Sequence, residues 1–252
     1  MHIRTEDLSS IEIEFDSGVV PPPYSHIFKL KINFSVKALE TSLDLIYTDR
    51  EELTEEEIFD EGFSLDDDFH FNGDISKIWE KPLKELYTAS KWTNKSLDDE
   101  GGINLSLKDR QGKSSLVIPQ NQQEWQILAQ DLIQAIYETS KKELPLSLRY
   151  LIKTKTEETM IELTMKFSIR KVEIKINGKI TEGAWDKTKD LLSYVFLPDY
   201  DYSKAKQQVP NHNGIFIDCG DGYWHELGKG VVNIDNSFDA VSKIKDGFQK
   251  LL

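Results

Sequence analysis

One short stretch of the sequence places a thiol, an imidazole and several carboxylates close together. It reads Asp-Cys-Gly-Asp-Gly-Tyr-Trp-His-Glu and spans residues 218–226. An imidazole that takes the proton of a thiol creates a nucleophile, so Cys219 and His225 are a conceivable catalytic pair. However, the Gly-Asp-Gly run is typical of a tight hairpin turn, and no Cys-His-Asn spacing accompanies the pair. We therefore predict no catalytic residue and keep Trp224 and His225 as candidates to line a pocket.

A proline-rich loop, residues 18–26, is the second place where side chains could be presented to a ligand. Three consecutive prolines stiffen the chain and precede Tyr24 and His26. Such a segment could also serve as a docking peptide for another protein. The simplest interpretation is a rigid connection at a sheet edge, where proline discourages the addition of a further strand. Tyr24 and His26 nevertheless remain candidates to line a pocket.

Residues 49–74 form an acidic segment that contains twelve acidic residues and one base, Arg50, and has a net charge of −11. Phenylalanines are interleaved with the acids, unlike in a plain solubilising tail. We interpret the segment as a surface for a basic protein partner, in which phenylalanine side chains supply buried area. The alternative is a solvated flap whose aromatic residues dock on the protein's own core. The candidate partner-binding residues are Glu55, Glu56, Phe59, Phe63, Asp66, Asp67, Asp68 and Phe69.

Three consecutive aspartates in this segment, Asp66 to Asp68, raise the question of a calcium site. Contiguous aspartates point in different directions, and the spaced D-x-[DN]-x-[DN]-G pattern of a calcium loop is absent. The five histidines show no ligand spacing, and no phosphate-binding, dinucleotide-binding, zinc-protease or serine-hydrolase motif occurs. We therefore predict neither a metal site nor a cofactor.

The formal charge of the whole chain is −13, which argues against nucleic acid as a partner, because phosphate binding requires clustered Lys and Arg. The negative charge also disfavours an anionic membrane surface, and no apolar run is long enough to cross a membrane. The single cysteine excludes an intramolecular disulfide. Since no secretory signal is visible at the N-terminus, we expect a cytoplasmic protein. The sequence does not indicate an oligomeric state.

The charge is unevenly distributed, since the 226 residues outside the acidic segment have a net charge of only −2. A nearly neutral body can carry a basic face, and two groups of basic residues suggest where such a face would lie. The first group is Lys29, Lys31 and Lys37, and the second is Lys166, Arg170, Lys171, Lys175 and Lys179. The acidic segment would then be an intramolecular cover for that face.

Alternation of apolar and polar residues predicts strands, and apolar residues three and four apart predict helices. The predicted strands cover residues 11–15, 26–35, 39–47, 103–107, 115–118, 146–153, 159–168, 171–176, 214–219 and 224–234. The predicted helices cover residues 55–61, 75–92, 122–142 and 181–196, with a final helix that is capped by Asp235 or Asn236 and turns Phe238 inward. A capping box of Thr54 and Glu57 begins the first helix. We therefore predict an α+β fold with antiparallel β-sheets and about four main helices.

The two halves of the chain, residues 1–144 and 145–252, follow a similar order of elements. In each half a helix, a hairpin and a second helix follow a group of strands, and residues 27–48 correspond to residues 146–168. Each half reads β-β-(β)-α-β-β-α, which predicts an internal pseudo-duplication whose halves pack as one compact unit. The tryptophans on the helical stripes are predicted to be core residues: Trp79, Trp125 and Trp185.

Two kinds of function fit these features. The first is a non-enzymatic binding or regulatory module that uses the acidic segment to engage a basic protein partner. The second is an enzyme or small-ligand-binding protein with a pocket between the two halves, near the proline loop and the hairpin of residues 218–226. Exposed phenylalanines in the acidic segment would favour the first function. Buried phenylalanines and a polar cleft at His26 or His225 would favour the second. We expect the binding module.

Overall fold

Antiparallel β-sheets with helices build both parts of this chain, which confirms the predicted α+β fold class. The computed structural model describes residues 3–93, 97 and 100–252. The chain divides into two compact units, Met1–Glu143 (unit 1) and Leu144–Leu252 (unit 2). Among the helices that the structure describes, none combines the length and the hydropathy that a membrane span requires.

Unit 1 is built on a seven-stranded sheet in which every neighbouring pair of strands is antiparallel. Its strands are β1 (Leu8–Asp16), β2 (His26–Phe34), β3 (Leu39–Tyr47), β4 (Phe69–Ile75), β5 (Trp92–Thr93), β6 (Gly102–Asp109) and β7 (Ser114–Pro119). Its helices are α1 (Glu55–Asp60), α2 (Glu80–Ala89) and α3 (Gln122–Thr139), with 3-10 turns at Thr5–Asp7, Arg50–Glu52 and Lys77–Trp79. The strand order across the sheet is β4-β3-β2-β1-β6-β7-β5.

One face of this sheet packs on helices and forms the core of unit 1. Side chains along a strand alternate between the two faces, and Ile11, Ile13 and Leu30 point to the core face and are completely buried. Helix α3 contacts the sheet at β4 and β6 and also packs on α2. Trp79 and Trp125 are fully buried, as predicted. The opposite face, called the open face here, carries the intervening, mostly polar residues of each strand.

Unit 2 contains a six-stranded antiparallel sheet and a separate two-stranded ribbon. Its strands are β8 (Leu146–Lys153), β9 (Glu158–Lys166), β10 (Lys171–Ile176), β11 (Lys179–Gly183), β12 (Asp199–Tyr200), β13 (Gly214–Asp218), β14 (His225–Glu226) and β15 (Val231–Val232). Its helices are α4 (Trp185–Val195) and α5 (Ala240–Gln249), with 3-10 turns at Phe167–Ile169 and Tyr202–Lys204. The sheet order is β11-β10-β9-β8-β13-β14, and β12 pairs with β15. Helices α4 and α5 pack on each other, and Phe248 stacks on Tyr150 of β8 with ring centroids 4.0 Å apart.

The two units share one topology. Strands β1 to β4, α2, the β6–β7 hairpin and α3 follow the same order in the chain and in the sheet as β8 to β11, α4, β13–β14 and α5. In this order β1 and β2 correspond to β8 and β9. Residues 27–48, which form β2 and β3, were predicted to correspond to residues 146–168, which form β8 and β9. The predicted correspondence is therefore wrong by one strand. Shared topology is what a duplication would produce, and the duplication itself stays a prediction.

The sequence pattern misses two strands in each unit: the two-residue strands β5 and β12, and the longer strands β4 and β11, both of which lie at a sheet edge. Strand β4 occupies the end of the acidic segment, and β11 occupies residues predicted to begin a helix. All residues of β11 from Lys179 to Glu182 are exposed, so it has no buried stripe that alternation could reveal. In β4, Phe69 and Phe71 alternate with polar residues but are only partly buried. An edge strand has one neighbour, so its amphipathic signal is weak.

The last helix begins later than predicted. Helix α5 is capped by Asp239, whose Oδ1 accepts a hydrogen bond from a backbone amide of the first turn at 3.0 Å, and not by Asp235 or Asn236. Phe238 therefore precedes the helix and is 44% exposed instead of turned inward. The strand predicted over residues 224–234 is also interrupted, because a turn with a left-handed glycine separates β14 from β15.

The turn that ends β1 packs against the loop before β6 so closely that both contacting residues must be glycine. A Cβ atom on Gly101 would lie 2.3 Å from the carbonyl oxygen of Asp16, and Gly101 has a φ of +76°. A Cβ atom on Gly18 would lie 2.2 Å from backbone atoms of Glu100. This backbone contact fixes Glu100 and Gly101 at the end of the sheet where β1 and β6 meet.

We expect Gly101→Ala to lower the free energy of unfolding by at least about 3 kcal/mol, because a left-handed conformation and a backbone clash add together. Gly112→Ala is the matched control. Gly112 has a similar φ of +86° but no atom within 4 Å of its Cβ position, so its substitution should cost about 1 kcal/mol. Urea unfolding measures both effects. Equal losses in the two variants would contradict the close contact.

Candidate functional site

The acidic segment forms most of the connection between β3 and β4. Its helix α1 begins with the predicted capping box: Thr54 Oγ1 accepts from Glu57 N at 3.3 Å, and Glu57 Oε2 accepts from Thr54 N at 2.8 Å. These hydrogen bonds from Thr54 lower the pKa of Glu57. Ile58 is the buried residue of the helix, and Gly62 follows it with a φ of +82°. The helix is therefore anchored through one apolar side chain, and its acidic residues face the solvent.

Arg50, the one base of this segment, ties it to the proline loop. Its guanidinium donates to the carbonyl oxygen of Pro23 at 3.1 and 3.2 Å, to that of Ser64 at 3.0 Å and to Asp67 Oδ2 at 2.8 Å. The Arg50 side chain is only 13% exposed. We call this set of contacts the Arg50 clamp. Burial acts to raise the pKa of Asp67, but hydrogen bonds from Ser64 and Arg50 outweigh it and hold the pKa below its usual value.

Aromatic rings complete the Arg50 clamp. The guanidinium carbon lies 3.9 Å from the ring centroid of Tyr47 and 4.7 Å from that of Phe63, which is cation–π geometry. Phe63 also packs edge-to-face on Tyr24, with centroids 5.1 Å apart. The hydroxyl of Tyr24 donates to Glu61. Tyr24, predicted to line a pocket, thus holds the proline loop against the acidic segment and is itself 46% exposed.

The structure divides the eight candidate partner-binding residues into two groups. One group docks on the protein's own body: Phe63 and Asp67 in the Arg50 clamp, Asp68 on the backbone amide of Tyr47 at 2.8 Å, and Phe69 on Tyr137 of α3 with centroids 4.9 Å apart. The other group is exposed to solvent: Glu55, Glu56, Phe59 and Asp66. One part of the segment is therefore docked on the protein's own body, and the binding of a partner by the exposed part stays a prediction.

His26, the other candidate of the proline loop, lies on the core face of β2. Its Nδ1 is 2.9 Å from the carbonyl oxygen of Tyr24, and its ring is tilted on Phe15 with centroids 5.2 Å apart. His26 lines a cavity of about 290 Å³ together with Phe15 and glutamines of α3, including Gln130. The volume is at the lower end of the range for small-molecule sites, which is roughly 300–1,000 Å³.

The hairpin of residues 218–226 is organised by one buried carboxylate. Asp218 is 1% exposed and accepts hydrogen bonds from Gly220 N at 2.8 Å, from Gly222 N at 3.1 Å and from Arg149. The Arg149 guanidinium in turn lies 4.9 Å from the ring centroid of Trp224. Trp224 is 1% exposed and packs in an apolar cluster that includes Leu151, Phe216 and Met160. Trp224 therefore lies in the packed interior of unit 2.

His225, which follows Trp224 in the chain and begins β14, is buried between two tyrosines. Its ring packs edge-to-face on Tyr200 and Tyr202, with centroids 5.1 and 4.9 Å away. It is 1% exposed, and neither ring nitrogen has a hydrogen-bond partner in the part of the chain that the structure describes. Burial lowers the pKa of His225, although Asp221, Asp218 and Asp201 act in the opposite direction. The ring is therefore held in its neutral form.

Cys219 does not have the environment of an activated nucleophile. Burial raises the pKa of its thiol to about 11, and nearby Asp221 and Asp218 add to the effect. A thiol with such a pKa is protonated at neutral pH, whereas catalytic cysteines are found in electropositive surroundings. The side chain that interacts with the thiol is Tyr200, and not His225. The geometry gives no support to a Cys–His pair.

Carboxylates on neighbouring strands pair with several lysines of the two basic groups, and the basic face itself stays a prediction. Lys29 is 2.7 Å from Glu14 and 3.8 Å from Glu12 on the neighbouring strand. In unit 2, Lys166 is 2.7 Å from Glu173, and Lys175 is 2.8 Å from Glu162. Cross-strand carboxylates therefore neutralise these lysines, which a one-dimensional reading of the basic residues could not reveal.

A cavity that the sequence did not indicate lies on the open face of unit 1. It has a volume of about 730 Å³ and is lined by residues of β1, β2, β3, β4 and β6 and of the loop before β6. We call it the open-face cavity. Many of its lining residues, such as Glu14, Lys29 and Asp44, belong to the open-face sides of their strands, and the strand alternation places these on one face. The alternation does not show that they enclose a depression.

We expect Arg50→Lys to lower the free energy of unfolding by about 3 kcal/mol, because an ammonium group cannot reach all the acceptors of the Arg50 clamp. Amide hydrogen exchange should also accelerate at Phe63 and Ser64. The matched control is Arg110→Lys, an exposed arginine of the β6–β7 turn, which should change stability by less than about 0.5 kcal/mol. Equal stabilities for the two variants would show that the clamp does not hold the segment.

The neutral, buried His225 should make unit 2 sensitive to mild acid. Since its pKa is lowered on folding, the unfolded chain takes up the proton first as pH falls below about 6.5. The free energy of unfolding should therefore fall between pH 7 and pH 5 by up to about 1.4 kcal/mol per pH unit. His225→Phe should remove this dependence, whereas the exposed control His70→Gln should keep it. Parallel pH profiles for the wild type and His225→Phe would contradict the assignment.

Three places thus bring polar and aromatic side chains together: the clamped acidic segment and the open-face cavity in unit 1, and the 218–226 hairpin in unit 2. Within residues 3–93, 97 and 100–252, no three side chains of His, Cys, Asp and Glu are grouped as a metal site requires. Asp67 and Asp68 instead bind Arg50 and a backbone amide. No family model, no curated protein and no solved structure matches this chain.

Proposed function

We propose that this chain is a non-enzymatic binding or regulatory protein that uses the exposed part of its acidic segment to engage a basic protein partner. The observation that carries the proposal is the pair of exposed apolar side chains among the acids. Phe59 is 51% exposed and Leu65 is 58% exposed. Large apolar residues surrounded by charges of one sign form the kind of patch on which protein partners bind.

The charge of the segment defines the chemistry of the partner. Nearly all its carboxylates are exposed, and its one base is occupied by Asp67 inside the Arg50 clamp. A partner rich in Lys and Arg would therefore meet little competition from cations of the segment itself. Such complementary charge accelerates the encounter and disfavours acidic partners.

The apolar side chains supply the second element of recognition. Ile58 is 3% exposed and fixes α1 to the body, so the next residue, Phe59, is turned toward solvent. A phenylalanine buries a large area when it enters a pocket, and aromatic anchors account for much of the energy of many interfaces. The partner should therefore have an apolar pocket with a basic rim.

The contacts that fix the segment also favour binding. The Arg50 clamp and the capping box of α1 hold the exposed residues in one conformation before a partner arrives. A surface that is ordered in advance loses less conformational entropy on association, and each side chain that needs no further ordering saves roughly 0.5–1.5 kcal/mol. The docking of Phe63 and Phe69 on the protein's own body therefore supports a binding role for the remaining residues.

The proposal predicts a partner whose binding depends on these exposed residues. Tagged wild-type protein should retain a basic protein from cell extract of its source at about 150 mM salt and release it at about 500 mM salt. A triple variant, Glu55→Gln, Glu56→Gln and Asp66→Asn, and the single variant Phe59→Ser should each retain at least about tenfold less of that protein. Quantitative mass spectrometry of the retained proteins provides the measurement.

A second triple variant controls for the loss of charge. Glu40→Gln, Glu85→Gln and Glu157→Gln remove the same number of charges from exposed positions outside the segment and should leave the retention unchanged. Thermal unfolding of each variant excludes a loss of fold. A partner that both triple variants retain equally, or the absence of any salt-sensitive partner, would refute the proposed function.

The open-face cavity favours a second function, the binding of a small ligand. Its volume of about 730 Å³ is well within the range of small-molecule sites. It differs in position from the pocket expected between the two halves, near residues 18–26 and 218–226. That pocket, and an enzymatic activity associated with it, stay predictions.

A further inference from the structure

We propose that the open-face cavity of unit 1 binds a small organic cation, a primary amine with an apolar body. This inference goes beyond the protein-binding function of the acidic segment and does not depend on it. The residues that carry it lie on three adjacent strands of one sheet: Glu14, Asp16, Ile27, Lys29, Asp44 and Ile46.

The strand register arranges these side chains in two parallel rows on the open face. In the first row, Glu14 of β1 is opposite Lys29 of β2, and Lys29 is opposite Asp44 of β3. In the second row, Asp16 is opposite Ile27, and Ile27 is opposite Ile46. Directly opposed side chains have Cβ atoms about 4.5–5.5 Å apart, so the rows form one continuous patch.

The charge of this patch selects for a cation. Lys29 Nζ is 2.7 Å from Glu14 Oε1, so these two side chains neutralise each other. Asp16 and Asp44 line the same cavity without a lysine or arginine of their own at ion-pair distance among the described residues. His70 Nδ1 lies 2.8 Å from Asp44 Oδ1, which accepts the hydrogen bond, and His70 adds positive charge only when it is protonated.

The second row provides an apolar surface beside these carboxylates. Ile27 is 39% exposed and Ile46 is 36% exposed, although most residues of the open face are polar. Two adjacent isoleucines form a flat platform on which an aromatic or aliphatic body can pack. A ligand that lies on this platform has its charged end within reach of Asp16 or Asp44. A primary amine with a short apolar body fits that arrangement.

On the β6 side of the cavity, one side-chain oxygen accepts no hydrogen bond from the described residues. Asn104 of β6 is opposite Glu14, and its Oδ1 is buried and has no hydrogen-bond partner within the described ranges. Buried acceptors are nearly always paired in native proteins, so a donor supplied by a ligand would satisfy this one. An ammonium group offers three N–H donors. The backbone contact between Gly18 and Gly101 fixes the rim at the end of β1.

Three probes that share the same 2-phenylethyl body separate the contribution of charge from that of the apolar body. They are 2-phenylethylamine, which is cationic, 2-phenylethanol, which is neutral, and 3-phenylpropanoate, which is anionic. We expect saturable binding of the amine to the full chain in isothermal titration calorimetry, with a Kd on the order of 1 mM, because the site is partly open to solvent. The alcohol should bind at least about fivefold more weakly, and the carboxylate should not bind.

Variants locate the binding site. Asp16→Asn and Asp44→Asn preserve the shape of the side chains and should each weaken amine binding about threefold, and the double variant about tenfold. Glu40→Gln is the matched control, since it removes a carboxylate from the same face of β3 outside the cavity, and it should bind as the wild type does. Thermal unfolding confirms that each variant is folded.

Amide chemical shifts of the isotope-labelled protein provide the second readout. Shifts that move on titration with 2-phenylethylamine should cluster at β1, β2 and β3 around Ile27 and Ile46. The proposal is refuted if no saturable binding of 2-phenylethylamine or tryptamine occurs, if the alcohol binds as tightly as the amine, or if the double variant binds as the wild type does.

Discussion

A single guanidinium group determines how the acidic segment can exist as ordered structure. Twelve carboxylates within residues 49–74 repel one another, and an unclamped chain of this charge would remain extended. Arg50 counters this with hydrogen bonds to Pro23, Ser64 and Asp67 and with ring contacts to Tyr47. Charge-assisted hydrogen bonds of a planar donor suit this role, since one side chain connects several parts of the chain. The clamp uses one carboxylate and leaves the others to face solvent.

Pairing between opposite charges on neighbouring strands also constrains the large sheets of the two units. Along one row of unit 1, the open face alternates in charge from Glu14 to Lys29 to Asp44. A row of unit 2 alternates in the same manner: Asp218, Arg149, Glu162 and Lys175. Opposite charges on directly opposed residues stabilise a sheet, whereas like charges destabilise it. The basic residues of these rows are therefore part of the sheets' own pairing.

The sequence was sufficient to predict the elements whose signal is local. Strand β3 begins and ends as predicted, and the capping box of Thr54 begins α1, because both depend on residues close together in the chain. The edge strands β4 and β11 were missed because their burial depends on a single neighbouring strand. The phenylalanines of the acidic segment could be recognised as unusual. That Phe63 docks on the body while Phe59 is exposed depends on long-range contacts with Tyr24 and Arg50. The open-face cavity depends on the register of the strands, and the composition of the chain carries no information about register.

The total charge of −13 is therefore a poor description of what a partner would encounter. At physiological ionic strength, charges are largely screened beyond about 8 Å, so a ligand responds to the carboxylates near it and not to the sum. Carboxylates that face a lysine within a sheet, such as Glu14 beside Lys29, contribute little to the field outside. Those without a basic residue opposite them, such as Asp16 on the open face and Glu55 on α1, dominate it locally. The two proposals, a basic protein partner for the acidic segment and a cationic ligand for the open-face cavity, therefore rest on the same physical reason, while the shapes of the two surfaces differ. A convex helix with a projecting phenylalanine suits a protein surface, whereas a depression with two isoleucines suits a small molecule.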